Sequence, residues 1–179
     1  IMTRANAKNE EKAYMERSFI DIFKACGFQT SWLANQEPAD SFIYFVNECD
    51  TVSYVNINRT IYSSDKWLDK DLLPDLDIQL VKENPKKMII LHTIGSHWWY
   101  NSHFTDEFAP FQPVVKSRIV SSSTPEEIIN SYDNTIVYTD SFIKEIITRL
   151  ENKKAILLYL SDHGENLGED NKWLHATDT

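Results

Sequence analysis

The chain has 179 residues, of which 42% are hydrophobic and 25% are charged, and these are ordinary values for one globular domain with a core of its own. The net charge of −9 argues against nucleic acid or an anionic membrane surface as the main partner. No apolar run approaches the ~20 residues that span a bilayer, and neither glycine-rich loop that cradles nucleotide phosphates is present.

Apolar periodicity predicts alternating elements in the first part of the chain. A 3.6-residue pattern predicts a helix over residues 8–25, with Gly27 as its stop. Residues 28–33 are rich in β formers and predict a strand. Residues 41–46 favour a helix over a strand, and residues 51–61 are predicted to be irregular or an edge element.

The same alternation continues along the chain. Residues 66–82 predict a helix that Pro74 either breaks or restricts at its start. The apolar run at 87–92 predicts a buried strand, and a long aromatic loop over 96–120 follows. Thr124 as cap, with a proline directly after it, begins a predicted helix that runs to about residue 151.

This succession of helices and strands, without repeats or a linker, predicts the fold class. We expect an α/β fold with a mostly parallel sheet and helices on both faces, in a single domain over residues 1–179. Cys26 and Cys49 show no metal-binding spacing, and a disulfide and two free thiols are equally compatible with the sequence.

Acids and imidazoles follow the last apolar run, residues 155–160, which predicts a buried strand of the parallel sheet. Residues just past the carboxyl end of such a strand face the crevice where α/β folds bind ligands. Asp162, His163 and Glu165 occupy that position, and His175 follows on a returning loop. Zinc binds histidine nitrogen and carboxylate oxygen, so the pattern indicates a metal site. The alternative is an ordinary Asp-His-Gly turn with a solvated carboxylate.

A second strand end offers another imidazole. His97 follows the 87–92 strand, which suits a metal or phosphate site at the same sheet edge, although it could instead pack within its aromatic loop. The aromatic residues 98–100 could form a lipid-facing lip or a packed loop. His92 is predicted to be a core residue or a support for the site, and His103 is predicted to lie on the surface.

The motif SDHGENLGE with its downstream LH resembles the metal-binding signature of the phosphoethanolamine transferases, which belong to the sulfatase/alkaline phosphatase-like superfamily. The resemblance covers nearly the whole chain and also rests on MTRANA, GFQTSWLANQ, LHTIGSH and YDNTIVYTD. It implies a partial alkaline phosphatase-like domain that is apparently truncated. Residues 132–135 would then include substrate-proximal groups, but helix packing and capping of neighbouring loops is the preferred interpretation.

The resemblance also implies roles for individual residues. Asp162 and His163 would be ligands of the catalytic zinc. Glu165 and His175 would be catalytic groups on the substrate side, where a second divalent metal can also bind. His97 would lie in the same region as a catalytic and substrate-binding residue, and His175 would share that substrate contact.

Asn35, at the end of the first strand, matches a polar residue that faces the transferred phosphate in the family, and an ordinary turn is an equal alternative for it. For Gln36 the ordinary turn is preferred. The family's threonine nucleophile is expected before Ile1, and Thr3 is not expected to replace it. The chain by itself is therefore predicted to be inactive.

By resemblance, the parent protein transfers phosphoethanolamine from phosphatidylethanolamine to lipopolysaccharide, lipid A or another envelope glycan, through a phospho-threonine intermediate. It would lie in the bacterial inner membrane through upstream transmembrane helices, with this domain in the periplasm. The alternatives are a phosphoglycerol transferase, a sulfatase, a phosphodiesterase or a non-catalytic metal-binding module.

Overall fold

A computed structural model of the chain describes residues 2–4, 8–9, 11–38, 40–59, 63 and 65–175. The chain divides into two compact units, one comprising Ile1–Asn58 and Asp71–Thr93 and the other Arg59–Lys70 and Ile94–Thr179. The single domain expected over the whole length stays a prediction. Among the described residues, no helix has the length and apolar character needed to cross a membrane.

The first unit begins with two helices where the periodicity predicts one. Helix α1 spans Lys12–Met15 and α2 spans Phe19–Ala25, so the single helix predicted over residues 8–25 is wrong. The interruption has a local cause, because Ser18 has extended backbone and its side chain accepts a hydrogen bond from the first turn of α2. The predicted stop is confirmed, since Gly27 has φ of +80°, which glycine adopts without a steric penalty.

A parallel sheet forms the centre of this unit. Its strands are β1 (Gln29–Ala34), β2 (Thr51–Tyr54) and β3 (Lys87–His92), in the spatial order β2–β1–β3. The strands predicted at 28–33 and 87–92 are confirmed. Of the range 51–61, Thr51–Tyr54 forms a short edge strand, and residues 60–61 lie outside the described residues. Strand β1 is central and is buried along nearly its whole length, as expected for a parallel sheet covered on both faces.

Alternate residues of β1 point to opposite faces of the sheet. On one face, Trp32 and Ala34 pack in an apolar cluster with α2 and with α3, which spans Asp40–Val46 as the helix interpretation predicts. The other buried members of this cluster are Ile20, Phe45 and Val46.

The opposite face is covered by helix α4. The hydroxyl of Ser31 in β1 donates a 3.1 Å hydrogen bond to the amide oxygen of Gln79 in α4, which spans Leu73–Val81. Pro74 lies in the first turn of α4, so it restricts where the helix starts, and a 3-10 turn precedes it at Asp69–Leu72. The predicted α/β class, with a parallel sheet and helices on both faces, is confirmed.

Both cysteines belong to this unit and are free thiols, which excludes the disulfide alternative. Cys26 is exposed. Burial raises the pKa of the Cys49 thiol to about 11, so this thiol is protonated at neutral pH.

The second unit is built on one long helix, α5, at Pro125–Leu150, which confirms the predicted boundaries. Its start is a capping box, because Thr124 accepts from the backbone N–H of Glu127 while the Glu127 carboxylate accepts from the backbone N–H of Thr124. The apolar core beside α5 contains Tyr100, Val115 and Ile128.

Side chains of α5 hold the long segment that precedes the helix. The Asn134 amide makes two hydrogen bonds to the backbone of Phe111, and the Ser131 hydroxyl accepts from the backbone N–H of Val115. These contacts favour the packing and capping interpretation of residues 132–135. The segment itself contains three 3-10 turns, at Tyr100–Ser102, Asp106–Phe108 and Val120–Ser122.

The strand predicted at residues 155–160 is wrong. The segment has no regular secondary structure and pairs with no strand in the described part of the chain, and its side chains are exposed, Ile156 at 97%. A strand is stabilised by its neighbours, and without them the apolar run has nothing to pack against. Two short antiparallel strands follow, β4 at Asn166–Leu167 and β5 at Trp173–Leu174.

Candidate metal centre

The β4–β5 hairpin brings two candidate site residues together. Asn166 pairs with Leu174 in the ladder, so the residues just outside that pair, Glu165 and His175, face each other. Gly168 allows the chain to turn between β4 and β5, because its φ of +113° is rarely adopted by other residues. An added Cβ would also lie only 3.0 Å from the indole of Trp173. The local turn chemistry therefore positions the carboxylate and the imidazole.

Glu165 and His175 form a hydrogen-bonded pair. His175 Nδ1 lies 2.9 Å from Glu165 Oε2, and the Glu165 side chain is only 7% exposed. The other carboxylate oxygen, Oε1, accepts a hydrogen bond from the Tyr100 hydroxyl at 2.5 Å. Burial raises the pKa of Tyr100, and the adjacent carboxylate raises it further, so the phenol stays protonated as a donor.

Three imidazoles gather at this end of the second unit. The ring centroids of His163 and His175 are 4.4 Å apart, and those of His97 and His175 are 5.1 Å apart. The predicted meeting of these histidines is therefore present in the structure. Their catalytic and substrate-binding roles stay predictions.

The three rings share one hydrogen-bonding arrangement. In His97 and His163, Nδ1 lies 2.5 and 2.9 Å, respectively, from the carbonyl oxygen of the following residue. In His175 the partner of Nδ1 is the carboxylate of Glu165. Each partner can only accept, so Nδ1 carries the hydrogen in the neutral ring and the lone pair is on Nε2. In the neutral ring of each histidine, Nε2 is therefore the atom that can bind a metal ion.

The loop that carries His97 is held at two points. The carboxylate of Asp69 accepts from the backbone N–H groups of Ile94 at 2.9 Å and Gly95 at 3.0 Å. On the other side, the hydroxyls of Ser96 and Thr135 in α5 lie 2.6 Å apart. His97 is therefore fixed from a buried acid and from the long helix.

The donor atoms suit zinc. Ligand atoms of His163, Glu165 and His175 lie within 4.8 Å of one another. Tetrahedral zinc with ligand bonds of about 2.0–2.1 Å separates its ligands by about 3.3 Å, so the most widely spaced ligand atoms would need to approach by at most about 1.5 Å on binding. Asp162 adds an exposed carboxylate whose Oδ1 lies 3.7 Å from His163 Nε2, the atom that carries the lone pair. Asp162 is not among the three residues whose ligand atoms cluster, and the role of Asp162 and His163 as zinc ligands stays a prediction.

Asn35 belongs to the first unit. Its side chain is fully buried and accepts a 2.8 Å hydrogen bond from Asn56, and its backbone N–H donates to the His92 carbonyl. Gln36 donates from its amide to the Thr93 carbonyl at 2.5 Å, which suits the preferred turn interpretation. The phosphate contact of Asn35 stays a prediction.

The remaining histidines are structural. His92 is half-buried in β3 with its ring edge-on to Trp32 at 5.3 Å, in agreement with a core role. The surface position predicted for His103 is wrong, because its side chain is 4% exposed and its Nδ1 donates to the Trp67 carbonyl at 2.9 Å. Burial lowers the pKa of His103 to about 4.

The sequence interpretation missed Tyr100 and Asp69. The signal for Tyr100 was ambiguous, since an aromatic run after His97 fits a packed loop and a lipid-facing lip equally well, and the structure favours the packed loop. Asp69 lies in a charged stretch that reads as the exposed start of a helix. Only the tertiary structure shows that its carboxylate faces the loop of His97.

Comparison with known proteins agrees with this architecture. The family model "Sulfatase" matches residues 1–179. The Kdo(2)-lipid A phosphoethanolamine 7''-transferase of Escherichia coli K12 is 34% identical over 172 residues, which cover 94% of this chain and 30% of that protein. The phosphoethanolamine transferase EptA of Helicobacter pylori is 45% identical over 113 residues, covering 60% of this chain and 22% of that protein.

Solved structures show the same fold. The soluble domain of lipooligosaccharide phosphoethanolamine transferase A from Neisseria meningitidis superposes with a TM-score of 0.81 at 31% identity, covering 98% of this chain and 54% of that one. The periplasmic domain of EptC from Escherichia coli, solved as a complex with Zn, gives a TM-score of 0.72 at 26% identity, covering 84% of this chain and 43% of that one.

The chain spans about a third or less of the length of these curated relatives and about half of the solved domains. The match to the Neisseria domain confirms the expected alkaline phosphatase-like fold. The resemblance drawn from the SDHGENLGE motif is likewise confirmed, and the chain belongs to the sulfatase family, among relatives that are phosphoethanolamine transferases.

Proposed function

We propose that this chain forms the metal-binding part of a phosphoethanolamine transferase that uses phosphatidylethanolamine as donor and lipopolysaccharide, lipid A or another envelope glycan as acceptor. The observation that carries the proposal is that the rings of His97 and His163 both lie close to the ring of His175, beside the carboxylate of Glu165, and that each ring has Nδ1 next to an acceptor. Relatives named as phosphoethanolamine transferases of lipid A support the substrate class.

Each residue of the proposed site has a role that follows from its position. Asp162 and His163 would hold the catalytic zinc, and His175, oriented by Glu165, would offer a place for a second divalent metal. Zinc, when bound, neutralises negative charge on the phosphoryl oxygens. His97 positions the phosphate, and an imidazole that has first taken up a proton on Nε2 gives that proton to the leaving oxygen. The proposal assigns no nucleophile within residues 1–179, so these residues alone are expected to bind metal without catalysing transfer.

The proposed setting is the periplasmic face of a bacterial inner membrane, where the donor lipid and the envelope acceptor are both accessible. The relative solved from Neisseria meningitidis is described as an integral membrane protein, which supports this setting. The net charge of −9 agrees with a partner other than nucleic acid. The named relatives are transferases, and this favours transfer over hydrolysis.

The test is transfer by the complete gene product. The purified protein is incubated with phosphatidylethanolamine and lipid A, and mass spectrometry follows the addition of one phosphoethanolamine group, with the zinc content measured on the same sample. We expect activity that is lost on chelation and restored by zinc, and lost in Asp162→Ala and His163→Ala. If the metal-replete protein transfers nothing, the chain is a non-catalytic metal-binding module. If both variants keep full activity, the assignment of the site is wrong.

A further inference from the structure

A buried phenol lies directly behind the candidate metal centre. Tyr100 is fully buried, and its ring is held edge-on by Trp98 at 5.0 Å and by Tyr132 at 5.5 Å between centroids. Its hydroxyl donates to Glu165 Oε1. Aromatic packing on two sides leaves this hydroxyl little freedom, so the donor has a defined position.

Glu165 uses its two oxygens for two different partners. Oε1 accepts from Tyr100, and Oε2 faces His175 Nδ1 at 2.9 Å. Because a carboxylate is planar, anchoring one oxygen also sets the direction of the other. The Glu165 side chain is 7% exposed, so water has little access to take the place of the phenol.

We propose that Tyr100 is a positioning residue that acts through Glu165 to hold His175 with Nδ1 protonated and Nε2 directed outward as a metal-binding atom. The inference deepens the proposed function, on which it rests for the identity of the ligand. Partners that orient a ligating histidine through its second ring nitrogen typically change metal affinity by about 10–100-fold when they are removed.

The test compares Tyr100→Phe with Tyr132→Phe in the chain of residues 1–179. Tyr132 is a matched control because its ring packs in the same apolar cluster. Imidazole 15N NMR of the metal-free protein reports the tautomer of His175, and competition with a chromophoric chelator reports zinc affinity. We expect Tyr100→Phe to remove the single-tautomer signature of His175 and to weaken zinc binding at least about 10-fold, with Tyr132→Phe unchanged in both respects.

A double-mutant cycle separates positioning from general loss of packing. If Tyr100 acts through the Glu165 carboxylate, Tyr100→Phe no longer lowers zinc affinity in a Glu165→Gln background. The proposal is overturned if Tyr100→Phe lowers zinc affinity by the same factor in both backgrounds, or if His175 keeps its tautomer in Tyr100→Phe. It is also overturned if Tyr100→Phe and Tyr132→Phe lower zinc affinity equally. If the wild-type chain binds no zinc while Tyr100→Phe still changes the tautomer of His175, the metal site is wrong and the positioning role of Tyr100 stands.

Discussion

His163 and His175 stack with their ring centroids 4.4 Å apart and their planes tilted by 39°, although the whole β4–β5 hairpin separates them along the chain. In each ring Nδ1 lies beside a hydrogen-bond acceptor, which leaves Nε2 as the nitrogen available to a ligand. Such a pair suits the proposed zinc site, because the contacts at Nδ1 already restrict the side-chain torsions that binding would have to fix.

Zinc binding is the first expectation. His163→Ala and His175→Ala each remove a ligand, and we expect either change to lower zinc affinity by more than about 100-fold, measured by chelator competition. His92→Gln, whose ring packs on Trp32 in the first unit, is the control and keeps wild-type affinity. Unchanged affinity in either alanine variant would exclude this pair as the metal ligands.

The buried carboxylate of Asp69 is expected to hold the His97 loop. Asp69→Ala leaves the backbone N–H groups of Ile94 and Gly95 without this partner, and we expect a loss of about 3 kcal/mol in the free energy of unfolding by urea. The control is Asp65→Ala, because Asp65 pairs with Arg59 at an exposed site and such pairs contribute about 0–1 kcal/mol. Equal losses would mean that the loop does not depend on Asp69.

Asn134 and Asn130 form a matched pair on α5. Asn134 is fully buried and bonds both backbone polar groups of Phe111, whereas Asn130 makes one exposed hydrogen bond to the Pro113 carbonyl. We expect Asn134→Ala to cost about 2–3 kcal/mol and Asn130→Ala less than about 1 kcal/mol in thermal or urea unfolding. The reverse order would contradict the assigned role of α5 in capping its preceding segment.

Acid destabilisation should depend on His103. Its pKa is about 4 in the folded protein because of burial, compared with 6.5 for the free side chain, so the unfolded state binds more protons between these values. This contribution to stability is intact above about pH 6.5 and falls as pH drops towards 4, by about 3 kcal/mol in all.

His103→Asn tests this expectation. The asparagine amide can still donate to the Trp67 carbonyl but does not titrate, so the variant should lose this part of the pH dependence. Urea unfolding at pH 7 and at pH 4.5 measures the difference. Identical pH dependence in wild type and variant would refute the role of His103.

The exposed apolar segment at residues 155–160 should promote self-association of the chain. Ile156 and Leu158 are 97% and 78% exposed in an apolar run that pairs with no strand among the described residues, and such a run favours association with another chain. We expect Ile156→Lys/Leu158→Lys to reduce association in light scattering without lowering the melting temperature. Val81→Lys, at an 80% exposed position in helix α4, should leave association unchanged.

Local chemistry made much of the fold predictable. Strands β1 and β3 follow from runs of β formers, and α5 follows from a cap, a proline and acids in its first turn, all of which act over a few residues. The break before α2 was missed because the cap formed by Ser18 competes with an uninterrupted apolar pattern. The candidate site residues could also be chosen from the sequence, because histidines and acids that follow apolar runs are residue types that bind metals or ligands.

The amino-acid order alone determined the α/β class, the helix boundaries of α5 and the set of acids and imidazoles at the site, because each depends on periodicity or on side-chain type. The tertiary structure decided that residues 155–160 remain exposed, that His103 is buried and that Glu165 divides its oxygens between Tyr100 and His175. These outcomes depend on contacts between residues that are far apart in the sequence, because burial and hydrogen bonding are set by which groups become neighbours in the folded chain.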